Sequence, residues 1–420
     1  MNNQKELIAT EYRSYRKSIC FVFFLYWFVL VVWQNIGGAE LRSAADTIIK
    51  LVLLLYLCWS FFSRSRVVSQ NSLVIILLFA GTQLITLFTR ETISFYILVT
   101  YCFTILFVFM TYGVGRHFEI TQRELIQLFY CIIAVVLYTV LYTVIAEPEQ
   151  YRNAFTSTTG YGSEFHAFFA SNHEFAMYCF FGTAAAVLLV DMDHRLGGFG
   201  RVLLLAIATV FLLHIVLSFS RVTMICAVGF LLTYVILNKR SLCKKWVYLL
   251  VILGIIAYLL SEPLQTFLYE VAFKAGNVSS REILMEKALA YYRGGSLFQQ
   301  LFGFGITESR AHITEEATFG SVHNGYMQVL LYYGVTGLLW MAAILISQLV
   351  AGIKFLRKDK LIAAISIALT LVAAANMVTS TQLIFTSPID CFFITAMFIV
   401  VPKYMRNAAD NNRFYQKTDG

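Results

Sequence analysis

Residues 200–238 read GRVLLLAIATVFLLHIVLSFSRVTMICAVGFLLTYVILN, and the way this stretch breaks decides the fold. Two apolar runs, 200–219 and 222–238, flank Arg221. Each is close to the ~20 residues a helix needs to cross ~30 Å of hydrocarbon. A guanidinium at the centre of one long span would cost ~2.5–3.5 kcal/mol, and less near an edge. The runs are therefore read as separate spans, with Arg221 at the boundary between them.

Working outward, the same pattern recurs. Apolar blocks lie at 19–37, 47–62, 72–89, 93–115, 125–146, 173–191, 200–219, 222–238, 246–261, 325–352, 361–380 and 384–402. The 420 residues are 59% hydrophobic and 13% charged, against about 25% charged in soluble domains. The expected fold class is an all-α integral membrane protein of about twelve transmembrane helices, forming a single polytopic domain over residues 1–420. The first apolar run, from Ile19, is followed by no A-x-A-like cleavage pattern, so it reads as a retained span.

Charge sets the orientation. With both termini inside, the inner segments hold most of the 32 Lys and Arg, including Arg13, Arg16 and Lys17 before the first span. Further along come Lys239, Arg240, Lys244 and Lys245, then Lys354, Arg357, Lys358 and Lys360. Basic residues gather on the cytoplasmic side of membrane proteins. The net charge of +8 follows from this bias and calls for no nucleic-acid partner. The eight cysteines lie in spans or on the inner side, so they read as small core hydrophobes, with no disulfide framework and no metal-ligand spacing.

Two outer segments have room for chemistry. The smaller spans 147–172, and the larger spans 262–324. Loops beyond ~12–15 residues in a compact domain are usually functional or disordered. The larger one has helical patterning. From Pro263, residues Leu264, Phe267, Leu268, Val271 and Ala275 outline an amphipathic helix suited to a membrane interface. Ser279-Ser280-Arg281-Glu282 has a capping-box pattern opening a second helix through about Arg293, which Gly294-Gly295 ends. Leu301 to Gly305, LFGFG, reads as a turn lying close to other backbone.

Several residues on that side invite a chemical reading. Arg221 reads either as a snorkelling interface arginine or as a bidentate ligand for phosphate or diphosphate. Its placement outside, against the charge bias, favours the second. Arg281 opens a helix, where the dipole disfavours a cation unless an anion is bound there; the alternative is a solvated surface arginine. Arg152 is a weaker version of the same case. His323-Asn324 stands where the long loop enters the tenth span, and an ordinary imidazole titrates in the range suited to accepting a hydroxyl proton. Nine residues later come Gly334 and Gly337, whose spacing permits close helix packing. His173-Glu174 is a possible edge of the same site. Asp191-Met192-Asp193 has the D-x-D form that holds metals, but it lies on the inner side and reads as structural. Gly303-Phe304-Gly305 lacks a following Lys-Ser/Thr, so it is no P-loop.

Taken in order, S-F-S-R at 218–221, S-R-x6-A-L from Ser280, L-F-G-F-G at 301–305 and H-N-x9-G-x-x-G from His323 resemble the O-antigen ligase and polymerase superfamily. These are bacterial membrane glycosyltransferases acting on polyprenyl-diphosphate-linked glycans. The resemblance implies a metal-independent, cofactor-free C-type glycosyltransferase fold in the inner membrane, with a periplasmic active site. The donor would be an undecaprenyl-diphosphate-linked glycan, with its lipid tail among the membrane lipids. The acceptor would be a lipid-linked repeat unit for a polymerase, or lipid A-core for a ligase. Other polysaccharide-assembly proteins would be further partners. Carried over by motif, Arg221 and Arg281 would bind the diphosphate and His323 would act as general base, with inversion at the anomeric carbon. Asn324 would orient the histidine or a sugar, and Arg152 and His173 would line the substrate site. S-F-S-R and V-H-N-G-Y-M-Q-V-L-L-Y-Y-G look more like a polymerase than a ligase.

A transporter or flippase fits the span number equally well. Transporters place ionisable or broken-helix features near the midplane, often in matching halves. Here the spans are poor in charge, no duplicated halves are visible, and the polar residues gather at one face.

Overall fold

The computed structural model describes residues 55, 70–113, 120–156, 165, 167, 169, 172–262, 265, 280–316, 322–378 and 390–411. The expected spans at 19–37 and 47–62 and the amphipathic helix after Pro263 lie outside the described residues, single positions apart. All regular structure among the described residues is helical.

In chain order the helices are α1 (Gln70–Arg90), α2 (Phe95–Val108, widening into a π turn at Phe109–Gly113), α3 (Gln122–Ala146) and α4 (Pro148–Thr156). Then come α5 (Asn172–Met192), α6 (Gly198–Leu217), α7 (Arg221–Leu237) and α8 (Lys244–Leu260). The long connection holds α9 (Ser280–Gly294), α10 (Leu297–Phe302) and α11 (Ile306–Glu316). Last are α12 (Gly325–Phe355), α13 (Lys360–Asn376) and α14 (Asp390–Asp410). Among the described residues, six helices are long and apolar enough to cross a membrane: α1, α2 with its π turn, α3, α5, α6 and α12. Helices α7 and α13 are apolar but shorter.

The chain divides into two compact units, one around residues 120–275 and the other around 50–119 and 276–410. In the first, α5 is the central rod. Its residues from Phe175 to Val190 are all buried, packed against α3, α6 and α7. Small residues make this possible. A Cβ added at Gly182 would meet the Phe211 ring at 2.7 Å, so the bare backbone is what lets α6 approach. Phe180 of α5 meets Phe230 of α7 edge to face at 5.6 Å. Helix α3 starts at a capping box in which Thr121 and Glu124 satisfy each other's backbone N–H groups. Helix α8 buries only Val247, and its apolar residues, Leu249, Ile252, Ile255 and Leu259 among them, point outward as lipid-facing residues do.

In the second unit, α12 runs between α13 and the long connection, and α13 packs on α14. Trp340 of α12 meets Phe79 of α1 edge to face at 5.4 Å. The π turn of α2 carries the backbone carbonyls of Met110 and Thr111. The Tyr404 hydroxyl takes the first at 3.3 Å, and the Lys403 ammonium takes the second.

One difference from the sequence reading matters for the site. Gly334 and Gly337 do not serve packing between two long helices. Gly334 has φ 67 and ψ −164, so α12 is broken there. A Cβ at Gly334 would lie 2.4 Å from the Leu301 backbone, and one at Gly337 would collide with Tyr333 of its own helix. The spacing marks a kink filled by the long connection.

Candidate functional site

In the first unit the site is built on the turn between α6 and α7. Helix α6 ends at Leu217; the Ser218 hydroxyl turns back to the Ile215 carbonyl at 2.7 Å, and Phe219 adopts a left-handed φ of +54. Ser220 is the N-cap residue and Arg221 the first residue of α7. The turn is bolted to the first turn of α5. Asn172 donates its amide to the Ser218 carbonyl at 2.9 Å. Nδ1 of His173 lies 2.8 Å from the Ser220 hydroxyl, which also bonds Thr223 at 2.9 Å. Ser218 and Ser220 are wholly buried, while His173 and Arg221 are half-buried. The structure thus brings His173 and the Arg221 turn together. A guanidinium at a helix N-terminus faces the positive end of the dipole, so an anion held there would satisfy both.

The smaller connection is folded onto this unit. Gln150 clamps the backbone of Ala167, giving and accepting a 2.9 Å hydrogen bond. Tyr151 lies 2.7 Å from Nε2 of His214, and the imidazole's Nδ1 lies 2.7 Å from the Val210 carbonyl. A carbonyl only accepts, so Nδ1 carries the proton and Nε2 accepts from the Tyr151 hydroxyl. Burial pushes the Tyr151 phenol up to about 12, so it remains a donor at neutral pH. The imidazole is enclosed by Phe165 and Phe175, with ring centroids 5.8 and 6.1 Å away. Sequence reasoning missed His214; its one signal was a polar residue inside an apolar run. Arg152 is exposed, its side chain 76% accessible, with Glu149 at 4.0 Å one helical turn back.

The D-x-D pair serves the same unit's framework. Asp191 accepts from Tyr234 at 2.6 Å, Asn238 at 3.2 Å and the Leu242 N–H at 2.7 Å. Asp193 accepts from Tyr130 at 3.0 Å and the Arg195 N–H at 3.1 Å. These carboxylates tie helix ends together, as expected of a structural pair.

In the second unit, Arg281 is the second residue of α9, a helix that ends at Gly294 as the glycine pair indicated. Ser296 and Gln299 form a capping box that opens α10. Leu301 and Phe302 of LFGFG are the last residues of α10, and Gly303-Phe304-Gly305 form the turn, which passes close to backbone beside the break in α12. Phe304 N–H donates to the Leu331 carbonyl at 2.8 Å, and Gly305 N–H to that of Tyr332 at 3.2 Å. Gly303 and Gly305 have φ of +89 and +84, and a Cβ at Gly303 would fall 2.2 Å from the Tyr332 oxygen. The Glu91 carboxylate, just after α1, receives the N–H groups of Ile306 and Thr307 and the Thr307 hydroxyl. A carboxylate at the first turn of α11 caps its free donors and complements its dipole.

Above this lies a polar and aromatic cluster. Arg310 donates to the Tyr332 hydroxyl at 3.2 Å, as Gln328 does at 2.6 Å. Tyr291 stacks on His312 at 3.8 Å and donates to Glu308 at 3.1 Å. Burial first, and then the Glu308 carboxylate, push the Tyr291 phenol up to about 12.

His323 has a left-handed φ of +53 and is half-buried. A non-glycine residue in that region is uncommon and is held there by its surroundings. Those surroundings are visible. Asn324, the N-cap of α12, accepts the Met327 N–H at 2.9 Å and donates to the Val378 carbonyl at 2.9 Å. Gly325 N–H bonds the Met377 carbonyl at 2.8 Å. Asn324 therefore acts on the backbone that presents His323, a capping role that sequence reasoning did not assign.

The long apolar helices define a multi-pass membrane protein, with helices α9, α10 and α11 preceding α12 in the chain. Residues 202–342 match the family described as O-Antigen ligase, and this match supports the resemblance to the O-antigen ligase/polymerase superfamily. The match contains Arg221, Arg281, His323, Asn324 and the LFGFG segment; Arg152 and His173 precede it. No curated protein matches the chain significantly.

Proposed function

We propose that the protein is a metal-independent, inverting glycosyltransferase that polymerises undecaprenyl-diphosphate-linked repeat units of a surface polysaccharide at the periplasmic face of the inner membrane. The observation that carries this reading is that one family match encloses Arg221, Arg281 and His323-Asn324, each at the start of a helix.

The chemistry is a displacement at the anomeric carbon of the donor. The acceptor hydroxyl gives its proton to His323 as its oxygen attacks. The bond from the anomeric carbon to the diphosphate breaks, and the electron pair leaves with lipid diphosphate. Arg221 and Arg281 bind that diphosphate and stabilise its growing charge, a use of preorganised donors that supplies a large part of many rate enhancements. Asn324 holds the backbone that presents the base.

The alternative acceptor is lipid A-core, favoured by the ligase description of the matching family. A deletion strain separates the two. Loss of a polymerase leaves single repeat units on lipid A-core. Loss of a ligase leaves none, with polymer accumulating on the lipid carrier. A strain with normal long-chain polysaccharide overturns both readings.

A further inference from the structure

Helix α10 exposes an apolar face that the proposed chemistry does not use. Leu297 is 73% exposed, Phe298 40% and Leu301 39%, large hydrophobic residues within one helical turn. Two contacts fix where this face sits. The Thr86 hydroxyl, in the last turn of α1, donates to the Phe302 carbonyl at the end of α10 at 2.6 Å. The Arg90 guanidinium, at the last residue of α1, lies 5.0 Å from the centroid of the Phe298 ring. Helix α1 is a candidate span, and in that same last turn Phe88 is 67% exposed. The outward surface of α1 is therefore apolar up to the level at which α10 is attached. An arginine at the end of a span can extend its charged head to the headgroup level while its stem stays among apolar groups, and Arg90 stands at such an end.

From this juxtaposition we propose that α10 is a membrane foot of the long connection. Leu297, Phe298 and Leu301 rest among the phospholipid acyl chains of the leaflet that meets the C-terminal end of α1, continuing the lipid-facing surface of Phe88. Arg90 lies at the headgroup level beside them. The foot sets the height of the α9–α11 segment over the bilayer. The proposal does not depend on the glycan chemistry.

The test uses the full-length protein in vesicles of phosphatidylethanolamine and phosphatidylglycerol. Photoreactive p-benzoylphenylalanine is placed singly at Leu297, Leu301, Phe88 or Glu286, the last an exposed position on α9. After irradiation, mass spectrometry should find phospholipid adducts at Leu297 and Leu301 comparable to those at Phe88, with none at Glu286. Adducts at Phe88 but none at Leu297 and Leu301 overturn the proposal, as does a cross-link from α10 to a second copy of the chain. Because Leu297 and Leu301 are exposed, the replacements leave the fold intact, and glycan transfer is not part of the readout.

Discussion

Phe304 donates its backbone N–H to the carbonyl of Leu331 at 2.8 Å, joining the long connection to the break in α12. In an unbroken helix the carbonyls of Leu331 and Tyr332 would accept from residues four positions on. The break at Gly334 removes those donors, and Phe304 and Gly305 supply replacements, with the Ser309 hydroxyl adding a 3.3 Å bond to Leu331. Buried backbone groups must be paired somewhere. The kink and the LFGFG turn therefore stabilise each other, and the segment of α12 that starts beside His323 is oriented by the connection.

Gly303→Ala and Gly334→Ala should each destabilise the protein. Both positions have positive φ, and the added methyl would lie 2.2–2.4 Å from backbone. Strained backbone of this kind costs about 1–3 kcal/mol before any clash. Gly81, in α1 with open space around it, is the control: alanine there should be neutral or stabilising by up to about 1 kcal/mol. Thermal unfolding in detergent measures all three.

His323→Asn should separate chemistry from strain. Asparagine tolerates the left-handed region, so the variant should fold and insert normally. With no base, its transfer rate should fall by about 10²–10⁴-fold, the range for general acid–base catalysis. Polymer length in a complemented deletion strain and transfer rate in membranes provide the measurement. Wild-type polymer from His323→Asn would remove the base from His323.

Arg221→Lys keeps the charge but loses the planar fork. If Arg221 grips a diphosphate bidentately, lysine should recover only part of the activity, and Arg221→Ala should cost about 10²–10³-fold, as loss of one transition-state donor does. Arg281→Ala should behave alike. Equal activity of Arg221→Lys and wild type would reduce Arg221 to a point charge.

Glu91→Ala should loosen α11 without touching the proposed chemistry. Losing a side-chain cap costs about 0.5–2 kcal/mol, and here both the Ile306 and Thr307 N–H groups lose their acceptor. Limited proteolysis should cut residues 303–316 faster in the variant, while cleavage within the first unit stays unchanged.

Asp191→Ala should lower stability by about 1–3 kcal/mol, because the buried Tyr234 and Asn238 side chains, with the Leu242 N–H, lose their acceptor. Transfer per folded molecule should remain, and chelation of divalent cations should leave the wild-type rate unchanged. A metal-dependent rate abolished by Asp191→Ala would make the D-x-D pair catalytic after all.

The sequence made the local features legible. The S-F-S-R interruption does separate α6 from α7, and Gly294 does end α9. The LFGFG glycines do mark a close backbone approach. Each depends on backbone freedom, apolar run length or charge, which neighbouring residues encode. The Gly334 break was misread as a packing device because glycine spacing alone does not say whether the closest backbone belongs to a helix or a turn. The His214–Tyr151 bond and the Glu91 cap join residues 63 and 215 or more positions apart. No local pattern announces such partners.

By itself, then, the sequence determined a helical membrane protein with its chemically interesting residues at the ends of the apolar runs or between them. The reason is that hydrocarbon requires long apolar helices and excludes charge, a rule readable one segment at a time. Only the tertiary structure decided how those residues are held. His173 is locked to the turn bearing Arg221, and Asn324 works on the backbone that presents His323. The LFGFG turn supplies the donors that α12 loses at its break. Those outcomes depend on pairing buried polar groups across distant stretches of chain, and only a folded arrangement specifies which groups meet.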